Sequence, residues 1–105
     1  QQPRVPIWCV GAVDKPKSMA RALRWDGLLP QYNGTSQPTL QQIAAIREQL
    51  DGRDYDIVIE GEGSEHSPRV WEDAGATWWI ESMWSAVNEV DAVLAAHDRL
   101  VAGPP

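Results

Sequence analysis

The chain alternates a short apolar run with a helical pattern four times over, and that rhythm restricts it to an α/β fold built on a parallel sheet. Val5 to Val10, introduced by Pro3 and Pro6, has no helical period and is rich in β-branched and aromatic residues, which predicts a buried strand. After Gly11 and the loop Ala12 to Pro16, apolar Met19, Ala20, Ala22 and Leu23 recur at helical spacing, predicting a helix over Lys17 to Trp25 closed by Asp26 and Gly27. Leu28 to Pro30 reads as a second strand, followed by the turn-rich stretch Tyr32 to Ser36.

The second half repeats the scheme. Pro38 suits a first helical position, with Ser36, Gln37 or Thr39 near the cap, and Leu40, Ile43, Ala44, Ile46 or Arg47, and Leu50 form the inward face up to Gly52. Asp56 to Glu60 holds the continuous apolar run Ile57, Val58 and Ile59, typical of a strand covered on both faces. Ser67 and Pro68 open a short helix through Asp73 that Gly75 ends. Ala76 to Ile80 is the fourth strand, in which Trp78 and Trp79 must point to opposite faces. Ser85 is placed to cap a last helix whose buried side is Val87, Val90, Val93, Leu94, Leu100 and Val101, stopped by Gly103 and the prolines.

Read together, these segments are four consecutive β/α units in one domain spanning residues 1 to 105. That is about half the length of a closed eight-stranded β/α barrel, so the expected architecture is half of a (β/α)8, or TIM, barrel. Composition agrees with a folded chain, at 43% hydrophobic and 23% charged residues. The formal charge of -6 repels a phosphate backbone and argues against nucleic-acid binding. A single Cys excludes an internal disulfide and a Cys-based zinc cluster, which fits a reducing, cytoplasmic setting. No apolar run has the length of a membrane span.

Five segments carry a family likeness: PIWCVG at Pro6 to Gly11, KSMARALRWDGLLP at Lys17 to Pro30, DIVIEGE at Asp56 to Glu62, EDAGATWWIES at Glu72 to Ser82, and AGPP at Ala102 to Pro105. In this order and spacing the chain resembles the C-terminal half of the bacterial luciferase-like flavin-dependent oxidoreductases and monooxygenases. The resemblance implies the fifth to eighth units of such a barrel. With Gln1 in place of Met, the expectation is a truncation, a proteolytic product, a deliberately built half barrel or a short gene with its Met removed.

Barrel sites lie at the C-terminal ends of the strands. The first such loop contains Gly11, Ala12, Val13, Lys15 and Lys17 ahead of a helix N-terminus, a combination suited to a phosphate, although Asp14 brings a negative charge to the same place. The resemblance implies that this phosphate belongs to FMN or the deazaflavin coenzyme F420. Glu60, Glu62, Glu65 and Glu81 form a second, weaker candidate as a metal or acid/base cluster, outweighed by solvated loop charges, so no metal site is assigned. His66 and His97 read as surface residues, Cys9 as a core filler, and Ser82 and Ser85 have no adjacent base. Arg24, Trp25 and Asp26 are expected to brace a corner away from the chemistry.

Two functions follow as expectations. One is the cofactor-phosphate half of a luciferase-like flavin enzyme, inactive without its N-terminal half. The other is a self-associating half barrel, a homo-oligomer and most simply a dimer, because a four-stranded parallel sheet leaves two edges unpaired.

Overall fold

A computed structural model describes residues 4–31, 37–61, 65–83 and 89–104. Its elements are β1 (Trp8–Ala12), α1 (Pro16–Ala22), β2 (Gly27–Gln31), α2 (Leu40–Gln49), β3 (Asp56–Glu60), α3 (Pro68–Ala74), β4 (Trp78–Ile80) and α4 (Val90–Val101). The strands form one parallel sheet in the order β1-β2-β3-β4. The α/β class and the four β/α units are therefore as the sequence predicts.

Strand order decides where the helices go. A doubly wound sheet reverses its order partway and so places helices on both faces. Here the order never reverses, and α1, α2 and α3 pack on a single face. Ala22, then Ile43, Ile46 and Leu50, then Trp71 meet Leu28, Ile57 and Ile59 in one buried cluster, with Cys9, Met19 and Trp79 against its border. Tyr55 is buried in it, donates its hydroxyl to the Ala22 carbonyl at 2.9 Å, and has its phenol pushed up to about 12 by that burial.

Element boundaries shift from the expected ones for local reasons. β1 begins at Trp8 rather than Val5 because its partner strand begins opposite, at Gly27. Ahead of it, the Asp26 carboxylate accepts from the Ile7 N–H at 2.7 Å and from Arg4 at 2.7 and 3.0 Å, so the chain is held by a side chain instead of a ladder. Arg53 donates to the Leu23 and Trp25 carbonyls, and the Arg4 guanidinium lies 5.9 Å from the Trp25 ring. The brace expected around residues 24 to 26 is thus built mainly by Asp26 with Arg4 and Arg53. α2 begins at Leu40 because Thr39 is the cap, exchanging bonds with Gln42 in a reciprocal capping box. Ser67 occupies the cap position of α3 without a side-chain cap bond, and Gly75 ends that helix at φ 121°. Ser85 and Val87 lie outside the described residues.

The last helix departs most from expectation. Its side chains were predicted to be buried, yet Val90, Val93, Leu94, Leu100 and Val101 are 76, 50, 56, 66 and 73% exposed. A helix of a β/α unit rests over its own strand and the next one, and among the described residues no further strand lies beside β4.

The sheet face away from the helices carries Trp8, Val10, Ala12, Leu29, Gln31, Val58, Glu60, Trp78 and Ile80 by alternation from the core residues. Trp8 lies across Gly27, donates its indole N–H to Asp56 at 3.1 Å and meets Trp78 at 5.3 Å between ring centroids. A Cβ on Gly27 would stand 2.4 Å from the Trp8 ring.

Gly27→Val is therefore expected to cost about 1–3 kcal/mol in urea unfolding, the range for forced overpacking, and a Trp8→Ala background should remove most of that penalty. A second expectation concerns pH. Arg4 first, and the Ile7 N–H second, hold the Asp26 carboxyl below its ordinary 3.8. Because the folded value is depressed, the stabilisation is complete above that pH and is lost as pH falls through the folded value. The stability gap between the wild type and Asp26→Asn should accordingly be flat at neutral pH and close below pH 3.8.

Candidate functional site

The C-terminal ends of the four strands define the candidate site, and the residues there divide between the two faces of the sheet. Gly11 turns out to serve the helix side. It is buried, and a Cβ on it would strike Leu28 at 2.4 Å and crowd Met19 and Ala22 at 3.1 and 3.3 Å. The glycine lets α1 settle on β1, a packing role that the sequence reading had assigned to ligand approach.

The rest of the first loop is closed by its own hydrogen bonds. The Ala12 N–H donates to the Ser18 hydroxyl at 3.0 Å, the Val13 N–H to the Gln31 carbonyl at 2.7 Å and the Lys15 N–H to the Ala12 carbonyl at 2.9 Å. Pro16, at the first helical position, has no N–H, and α1 is only seven residues long. Lys15 Nζ lies 3.8 Å from the Asp14 carboxylate. The loop thus offers an anion the exposed ammonium groups of Lys15 and Lys17, while the N–H groups of Ala12, Val13 and Lys15 are already spent. Three of the N–H groups that a phosphate at this loop would need are thus engaged within the chain.

The carboxylates considered together in the sequence are separated in space. Glu60 ends β3 on the open face, where its carboxylate accepts from the Ser82 hydroxyl at 3.1 Å and its carbonyl from the Gln37 side chain. Glu81 faces the helix side, accepting from the Trp79 indole at 2.9 Å and pairing with Arg99 of α4 at 3.1 Å. Glu65 is exposed, and Glu62 lies outside the described residues. Among the described residues no three His, Cys, Asp or Glu side chains gather as metal ligands.

The two Trp residues of β4 divide as predicted. Trp79 lies over Gly61 and against the core, and Trp78, 52% exposed, stands on the open face. Ser82 acts as a donor to Glu60, and His66 stacks edge-on to Trp71 at 5.6 Å between centroids. His97 is exposed and lies 3.4 Å from Asp98.

Sequence reasoning missed two arrangements. One is the row Trp8, Asp56 and Thr77 at the opposite, N-terminal end of the strands, where Thr77 donates to Asp56 at 3.1 Å and its hydroxyl also accepts from the Ile57 N–H at 3.0 Å. Its signal was Gly27, read as a turn residue, when an isolated glycine beside a strand also marks a place where a large side chain lies flat. The other is the clasp of Trp79, Glu81 and Arg99 that ties α4 to the sheet, together with the Arg99 bond to the Gly103 carbonyl. Its partners are 18 residues apart, and no local pattern announces such a pair.

No described helix is long and apolar enough to cross a membrane. Set against protein-family models, curated proteins and solved structures, the chain matches none of them.

Glu81→Ala removes the acceptor shared by Trp79 and Arg99. Exposed ion pairs contribute at most about 1 kcal/mol, so amide exchange in α4 should accelerate by up to about fivefold while the core strands keep their protection.

Proposed function

We propose that this chain is half of a (β/α)8 barrel of the luciferase-like flavin-dependent oxidoreductase kind, acting as an assembly unit that has no turnover and holds no cofactor by itself. The observation that carries the reading is the asymmetry of the sheet: helices pack one face, while the other presents Val10, Trp78 and Ile80 at 49, 52 and 37% exposure. Parallel sheets occur almost only with both faces covered. A sheet in strictly sequential order with its helices on one side is the geometry of a barrel wall, and the missing cover is the rest of the barrel. The motifs at Lys17 to Pro30 and Glu72 to Ser82 support the family assignment.

The cofactor-free part of the reading rests on the first loop, where the Ala12, Val13 and Lys15 N–H groups are bonded within the chain. The enzymatic alternative draws on Lys15 and Lys17, whose ammonium groups stand exposed beside that loop and would meet a flavin phosphate once further units surround it. The chemistry in such an enzyme is the flavin's, and the protein supplies position and shelter from water.

Titration of the purified chain with FMN and with coenzyme F420, followed by quenching of Trp fluorescence, is expected to show no saturable binding. Saturation at one flavin per chain would assign the enzymatic role instead.

A further inference from the structure

The surface left open on this half barrel has the size, the strand count and the edges that a second copy of the same chain supplies. We propose that two copies close on each other, with the β4 edge of each pairing in parallel with the β1 edge of its partner and α4 lying over each of the two seams. This rests on the half-barrel reading given above and identifies what completes it.

Strand number is the first argument. Eight strands are the number at which a barrel closes with its interior just filled by side chains, and two copies of a four-stranded sheet provide them. A two-fold arrangement joins β4 to the partner's β1 twice and leaves no edge open, whereas a single copy leaves both edges as templates for uncontrolled pairing.

Area is the second. Scaled by their exposed fractions, Val10, Trp78, Ile80 and the apolar stripe of α4 present roughly 600 Å² of apolar surface per copy. An obligate two-copy interface takes about 1,000 Å² or more from each partner, about 65% of it apolar. The exposed side chains supply most of that apolar share, and the edges of β1 and β4 brought together at the seams add the remainder.

The position of α4 is the third. None of its residues is buried, yet it is held beside the end of β4 by Arg99 and Glu81, with Leu100, Gly103 and Pro104 lining a groove against Trp79. A helix tied by its C-terminal end to the end of β4, with its apolar stripe exposed, has that stripe free for a strand that pairs with β4. In the closed pair that strand is the partner's β1.

Light scattering coupled to size exclusion, over a dilution series, is the test. The expected mass is twice the 11.7 kDa of one chain. Leu94→Glu and Val93→Glu, at exposed positions of α4 that the single copy does not use for folding, should each return the mass to that of one chain with the circular dichroism spectrum unchanged. Ala44→Glu, on the exposed side of the central helix α2, should leave the doubled mass intact. A doubled mass untouched by both α4 variants would overturn the placement of α4 at the seam, and masses growing beyond two copies would overturn closure. A wild-type monomer that takes up an apolar fluorescent dye would overturn the second copy while leaving the half barrel standing. A monomer that takes up none would overturn both.

Discussion

Everything in this molecule depends on a parallel sheet being covered on one face only. The helix-side core is complete: Leu28, Ile43 and Ile57 are fully buried, and Trp71 and Tyr55 are buried with them. Burial of this kind contributes on the order of 1.5–3 kcal/mol for each large apolar side chain and holds the first three helices to the strands. The opposite face is closed partly from within, by Trp8 lying across Gly27 toward Trp78. Above that row it remains open.

That imbalance links the features that look unrelated one by one. Among the described residues, the edges of β1 and β4 that no strand pairs, the exposed stripe of α4 and the exposed row Val10, Trp78 and Ile80 all follow from a sheet without cover on one face. The polar groups follow the same division. Asp56 and Thr77 knit the N-terminal end of the sheet, and Glu60 with Ser82 stands at its C-terminal end.

The first loop shows why a short motif is a weak guide to chemistry. Glycine, two lysines and a helix start are the ingredients of an anion site, but the backbone contributes to it only through N–H groups that are free to point at the anion. Ser18 and the Gln31 and Ala12 carbonyls have already taken those of Ala12, Val13 and Lys15, and Gly11 is occupied by helix packing. Composition specifies which donors exist; tertiary contacts decide which are left.

The sequence by itself determined the four β/α units, the α/β class, the core run at Ile57 to Ile59, the opposite facing of Trp78 and Trp79, and the role of Asp26 at its corner, because each follows from local periodicity or from residues at element ends. Only the tertiary structure decided that Gly11 and Gly27 make room for packed side chains, that Glu60 and Glu81 face opposite ways, and that α4 is unburied. Those outcomes depend on which strand lies beside which. The burial predicted for α4 assumed a neighbouring strand, and periodicity records that a helix has an apolar face without recording whether anything stands in front of it.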